Sequence, residues 1–232
     1  MAGNVVEKID QQVEIRHVLI SVSDKTGLDT LIPGLVEASP EIQIFSTGGT
    51  YGRIAEILGE DGTAKHLTQV SEYTGQPETQ GGLVKTLDFK IYLGLLTETY
   101  NAAHQGDLER TEAVPIDMVV CNLYPFRETV AKQDVTVEMA RANIDIGGPC
   151  MVRASAKNYL RVASVVDPGD YAGIIDELKS ADGRLSLARR FDLARKAFAH
   201  TAEYDTAIAA YLNDSADDAV AGCYSFADAG EA

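Results

Sequence analysis

The chain has 232 residues, 45% of them hydrophobic, and a formal net charge of −15. That length suits one large domain or one and a half, with enough apolar residues for a full core. So acidic a balance argues against a general nucleic-acid binder, because the phosphate backbone would repel it.

In chain order, short β-rich runs alternate with helical patterns. Val18 to Val22 reads as a strand. Leu28, Leu31, Ile32, Leu35 and Val36 follow at helical spacing, and Pro33 is expected to kink that helix. Ile42 to Ser46 reads as a second strand. Ile54, Ile57 and Leu58 form a short helix ended by Gly59, and His66 to Val70 reads as a third strand. Met118 to Leu123 is apolar without alternation, as in a strand covered on both faces, and Arg161 to Val166 repeats the pattern. Leu185 to Leu212 is Ala-rich and helical, with Leu187, Phe191, Ala194 and Phe198 on one stripe. The last 20 residues, rich in Ala, Asp and Gly, read as a loosely held tail. The alternation predicts an α/β fold with a doubly wound, mainly parallel sheet flanked by helices and a C-terminal helical extension.

Cys121, Cys150 and Cys223 show no metal-type spacing, and reduced thiols in a cytoplasmic protein are expected. The four histidines are scattered and offer no metal cluster. No apolar run approaches the ~18 residues of a membrane span. Met1 to Gln12 carries Glu7 and Asp10, lacks an apolar core and does not read as a signal peptide.

Five segments carry chemistry. Ser21 to Gly27 turns from a strand into a helix with hydroxyls, Lys25 and free N–H groups, an anion site by type. Ser46-Thr47-Gly48-Gly49-Thr50 sits at a second strand end and could grip the same phosphate from the other side. Ordinary helix capping explains either turn equally. Gly81-Gly82-Leu83-Val84-Lys85 places a lysine after a flexible glycine pair; a solvated surface charge is the plainer reading. Asn122-Leu123-Tyr124-Pro125-Phe126 ends a buried strand at a pocket position, or packs its tyrosine on a turn. In Asn143 to Asn158, Asp145 lies between two isoleucines ahead of Gly147-Gly148, and Lys157 lies near the end of the following helix. The acid and the lysine could face one pocket, or form a buried ion pair that holds a loop. None of these is the phosphate loop of nucleotide triphosphatases.

These motifs, with Val70 to Gly75, Val166 to Tyr171 and Lys196 to Thr201, occur in one order that resembles the IMP cyclohydrolase domain of the bifunctional AICAR transformylase/IMP cyclohydrolase family. The resemblance spans about Ile15 to Leu212, which implies an N-terminal extension over 1–14, one domain over 15–212 and a tail over 213–232. It implies a methylglyoxal-synthase-like fold and a stand-alone cyclohydrolase of purine biosynthesis. The reaction would be dehydrative closure of 5-formamidoimidazole-4-carboxamide ribotide to IMP, with no metal or redox cofactor. By the same resemblance, Asp145 and Lys157 share proton transfer, Lys85 stabilises developing charge, and Tyr124 positions or relays a proton. Ser23, Lys25, Thr26 and Gly27, with Ser46, Thr47, Gly48 and Thr50, would hold the ribose phosphate, and Asn122, Gly147 and Gly148 complete the expected binding set. A homodimer and a separate AICAR transformylase are the partners it leaves open.

The chain departs from that family in one stretch. Leu83 replaces an arginine, Asp88 a histidine and Phe89 a proline, while Tyr92-Leu93-Gly94 and Thr97-Glu98 stand for a His-Gly-Gly and an Ala-Arg pair. A more acidic wall is expected there. Cys150 and Ser155 are milder replacements. Two rivals follow: a non-catalytic purine-ribotide sensor or scaffold on this fold, and a phosphate-eliminating lyase like methylglyoxal synthase.

Overall fold

The computed structural model describes residues 5–77, 79 and 84–227. Its elements are β1 (Gln12–Glu14), β2 (His17–Val22), α1 (Leu28–Ala38), β3 (Gln43–Ser46), α2 (Gly48–His66), β4 (Leu67–Gln69) and α3 (Val70–Thr74). They continue through α4 (Phe89–Leu96), α5 (Ala102–Arg110), β5 (Met118–Asn122), α6 (Phe126–Val130), α7 (Val137–Ala142), α8 (Gly147–Lys157) and β6 (Ala163–Val165). After a 3-10 turn at Pro168–Asp170 come α9 (Tyr171–Ser180), β7 (Arg184–Ser186), α10 (Leu187–Asp214) and α11 (Asp217–Ala221).

Five strands form a parallel sheet in the order β4-β3-β2-β5-β6. Successive side chains of a strand point to opposite faces, so the apolar runs of β2 and β5 fill two cores. Val18, Ile20, Met118 and Val120 pack with Leu31 and Leu35 of α1 and Ile174 and Leu178 of α9. Leu19, Val119 and Cys121 pack with Ile91 of α4, Val152 and Ala156 of α8 and Ala197 of α10. The fold is the doubly wound α/β architecture that the alternation predicts.

Several boundaries differ from the sequence reading. α1 continues through Pro33, which is exposed on its outer side. His66 closes α2 rather than opening β4; Gly59, at φ 67°, ends the first helical stretch of α2 as expected, and a second stretch follows it to His66. The residues expected to be an N-terminal extension supply β1, which pairs antiparallel with β7. α4 and α5 have no clear sequence signature: α4 is eight residues long and apolar nearly all round, and α5 is short and mostly polar. The stripe expected on α10 is rotated: Leu193, Ala194, Ala197, Thr201 and Tyr204 are buried, while Phe191 and Phe198 are 44% and 39% exposed. The cause is Arg190. This side chain is wholly buried and donates to the carbonyls of Asp10, Tyr159, Leu160 and Leu185 at 2.5–3.1 Å. An arginine at a core position hides the face from a hydrophobicity pattern.

At the amino edge of the sheet the Asp117 carboxylate accepts the backbone N–H groups of Arg16 at 3.0 Å and His17 at 2.9 Å. It also pairs with the Arg161 guanidinium at 2.9 Å, which donates to the Gly94 carbonyl at 2.5 Å. Asp117 and Arg161 are each 6% exposed. Arg161→Ala strands a buried charge and is expected to cost about 3–5 kcal/mol of unfolding stability. Urea titration reads it; a loss within the noise of a surface substitution would remove this pair as a structural anchor.

Candidate active site

Chain order reverses between β2 and β5, with β3 and β4 on one side and β6 on the other. Ligands of open α/β sheets bind beyond the strand carboxyl ends at such a switch point. A cleft of about 410 Å³ opens there, lined among others by Ser23, Lys25, Thr47, Gly48, Thr50, Lys85, Asn122, Tyr124, Asp145, Gly147 and Gly148.

The turn after β2 is held from two sides. Asp24 accepts the backbone N–H of Thr26 at 2.9 Å and its hydroxyl at 2.7 Å. Asn122, at the end of β5, accepts the Asp24 N–H at 2.9 Å and donates to the Asp24 carbonyl at 2.7 Å. Gly27 starts α1 at φ 79°, and a Cβ there would lie 3.0 Å from the Tyr171 ring. Its role is this close approach.

The turn after β3 engages two of its hydroxyls with backbone and leaves a third, also buried, without a partner. Ser46 is fully buried and donates to the Ile20 carbonyl at 2.7 Å. Thr50 Oγ1 accepts the Val22 N–H at 3.2 Å and donates to the Val22 carbonyl at 3.0 Å. Thr47 is different. It precedes α2, caps no N–H, and its buried Oγ1 has no hydrogen-bond partner. A Cβ on Gly48 would lie 3.3 Å from the Lys85 amine, and one on Gly49 3.9 Å from the Lys25 amine. Two ammonium groups therefore converge on the N-terminus of α2, where free N–H groups already favour an anion.

Across the cleft, the start of α8 carries the carboxylate. Asp145 Oδ1 accepts the Gly148 N–H at 2.9 Å. A Cβ on Gly148 would fall 2.5 Å from Asp145 Oδ2 and 2.7 Å from Leu123, so only glycine leaves room for the acid. Burial pushes the Asp145 carboxyl above its ordinary value, while the N–H groups of Gly148 and Tyr124 pull it back. Tyr124 is 51% exposed beside it.

Four expected site residues lie outside this cleft. Thr26 turns its hydroxyl to Asp24, and Gly27 packs on Tyr171. Ser46 ties β3 to β2. Lys157 is the largest correction. It ends α8, whose start lies beside Asp145, so the two are separated by roughly 15 Å of helix at 1.5 Å per residue. Its side chain is exposed, and the two do not form a pair within one chain. Asn122 and Thr50 line the cleft, but with their polar groups engaged by backbone. Of the expected acidic wall, Asp88 lies with Thr47 and Lys85 in an adjoining hollow, and neither Asp88 nor Glu98 lines the cleft itself. Asp88 caps α4 by accepting the Lys90 N–H at 2.7 Å, and Glu98 accepts from Asn101 at 3.1 Å. Gly81, Gly82 and Leu83 lie outside the described residues. The sequence reading missed Thr86, whose hydroxyl would be 2.9 Å from a Cβ on Gly147, although it adjoins Lys85. Among the described residues no group of three or more His, Cys, Asp or Glu is placed to hold a metal ion, and no helix is long and apolar enough to cross a membrane.

Residues 30–150 match the family model described as MGS-like domain, and residues 155–229 the one described as AICARFT/IMPCHase bienzyme. The bifunctional purine biosynthesis protein PurH of Magnetococcus marinus is 48% identical over 200 residues, covering 86% of this chain and 36% of that protein. PurH of Ruminiclostridium cellulolyticum is 46% identical over 204 residues, covering 88% and 38%. The chain thus spans little more than a third of the length of these relatives. The crystal structure of ForH superposes with a TM-score of 0.70 at 28% identity, over 84% of this chain and 97% of that one. Sequence and fold agree: the chain belongs to the MGS-like domain family, in the branch of the bifunctional purine biosynthesis proteins.

Proposed function

We propose that this chain is an IMP cyclohydrolase of purine biosynthesis. It would close the ring of 5-formamidoimidazole-4-carboxamide ribotide with no metal or redox cofactor. The observation that carries the reading is one cleft with two chemically opposite ends. Thr47, the N-terminus of α2 and the amines of Lys25 and Lys85 form a phosphate end. The partly desolvated Asp145 carboxylate and Tyr124 form the other.

In this reading the ribotide phosphate sits on α2 and the base lies toward Asp145. The carboxamide nitrogen attacks the formyl carbon and gives up a proton, for which Asp145 is the acceptor. The formyl oxygen takes up that proton and a second one from the formamido N–H, whose nitrogen forms the new C=N bond, and leaves as water. Lys85, on the turn between the two helix starts, stabilises negative charge on that oxygen. Tyr124 positions the base or relays a proton. Holding both groups of one molecule face to face supplies much of the rate. Ser23, Gly147 and Gly148 shape the walls. A cytoplasmic setting goes with this reading, and a transformylase activity, fused or separate, would supply the formylated ribotide, in keeping with the bienzyme description of the matched family.

A second reading is a ribotide-binding sensor or scaffold without turnover. It is favoured by Lys157, which stands at the far end of α8 from the acid it would assist.

Pure protein given the formylated ribotide, without metal, folate or nucleoside triphosphate, is expected to form IMP, followed by ultraviolet absorbance. Binding without IMP formation selects the sensor. Lys25→Ala is expected to weaken IMP binding about 10- to 100-fold, as loss of a charge-assisted contact does, with turnover little changed. Asp145→Asn is expected to lower kcat while IMP still binds, by calorimetry. The ionised carboxylate is the working form and burial raises its pKa. Turnover should therefore fall as pH drops through a midpoint above the ordinary aspartate value of about 3.9, and that limb should vanish in Asp145→Asn.

A further inference from the structure

We infer that Tyr204, on α10, is a positioning residue that holds the two walls of the cleft, the Asp145 loop and the Tyr124 turn, in fixed relation. The inference rests on the cyclohydrolase reading for its catalytic consequence, but not for its geometry. The Tyr204 phenol oxygen accepts the backbone N–H of Asp145 at 2.8 Å, and its O–H points to the Asn143 carbonyl at 3.4 Å. One hydroxyl thereby closes the turn that presents the carboxylate. The same ring meets Phe126 edge-on, with centroids 6.2 Å apart and planes at 68°. Phe126 follows Tyr124 by two residues and is itself 1% exposed, so the second wall is anchored by a buried ring that packs on Tyr204.

Three facts separate this from ordinary packing. Tyr204 is 8% exposed, so breaking its bond to the loop leaves polar groups in a largely desolvated setting. Burial holds the phenol above its ordinary pKa, so it keeps the proton it offers to Asn143. Finally, Tyr204 lies in the stretch that matches the bienzyme model, whereas Asp145 and Tyr124 lie in the MGS-like stretch. α10 therefore packs beside α8, on the same face of the sheet, and sets the geometry of a site made by an earlier stretch of the chain.

Tyr204→Phe removes the hydroxyl and leaves the ring. Tyr211→Phe is its control: Tyr211 meets the same Phe126 edge-on, with centroids 6.0 Å apart and planes at 86°, and makes no hydrogen bond to the Asp145 loop. In wild-type protein the Asp145 amide is expected to be protected from hydrogen exchange, and in Tyr204→Phe to exchange on the order of tenfold faster, the worth of one buried hydrogen bond. Tyr211→Phe should leave that amide unchanged. With substrate, Tyr204→Phe should lower kcat on the order of tenfold while KM stays within about twofold, because positioning acts on the transition state. A role in stability alone would lower the melting temperature and leave the kcat of the folded enzyme intact. An unprotected Asp145 amide in wild type, or equal exchange in the two proteins, overturns the inference whether or not the chain makes IMP. If the wild type makes no IMP but the exchange result holds, the functional reading falls and the positioning role stands. If IMP forms and Tyr204→Phe has wild-type kcat, the positioning role falls alone.

Discussion

The Asp117 carboxylate, at the edge of the sheet away from the cleft, fixes what happens at the other edge. It gathers two consecutive N–H groups from the start of β2 and the Arg161 guanidinium ahead of β6, and so joins three strands at their origins. With that end fixed, β2 and β5 run in one register, Val18 opposite Met118 through Val22 opposite Asn122. A slip of one residue would turn every side chain to the wrong face. It would also part Asn122 from Asp24, the clamp that shapes the first turn of the site. Burying two charges is costly, and burial alone would push Asp117 toward its neutral form. The return is a single permitted alignment, because no shifted pairing satisfies the same N–H groups.

In the proposed reading a chain of net charge −15 receives an anionic ribotide, and the lining of the cleft says how that could work. Exposed carboxylates elsewhere act through water and salt, which screen charges beyond about 8 Å at physiological ionic strength. Within the cleft the ligand would meet Lys25, Lys85 and the open N–H groups of α2 at hydrogen-bonding range. Local dipoles and two cations outweigh a distant surplus. Asp145, the acid that remains, is set at the far wall, where its charge opposes the phosphate least.

Much of the fold was legible in the sequence because β2 and β5 are buried on both faces and read as unbroken apolar runs. Their ends were therefore legible as well, and with them the turns that carry Lys25, Thr47 and Tyr124. Partners were not. Ser46, Thr50 and Asn122 have the chemistry of ligand contacts, but their hydrogen bonds go to backbone of neighbouring strands, and no local pattern says which partner a hydroxyl finds. Lys157 misled for a geometric reason: closeness in sequence became a full helix of separation. Tyr204 failed in the opposite way. It is 59 residues from Asp145, and only the packing of α10 on α8 brings them together.

Arg190 has a consequence for the outer shape of the molecule. Its guanidinium is wholly buried and is matched by four carbonyls, with burial holding its pKa down to about 10. One of those carbonyls belongs to Asp10, whose side chain accepts the Tyr100 hydroxyl at 2.7 Å, with Lys8 over the same ring. Tyr159 and Leu160 supply two more, and they precede β6, so this knot lies at the amino edge of the sheet. The chain at Asp10 is thus tied down at the edge of the sheet opposite the cleft. A tether attached at that point would stand away from the mouth of the cleft, provided that the Asp10 carbonyl and β1 (Gln12–Glu14) are kept whole.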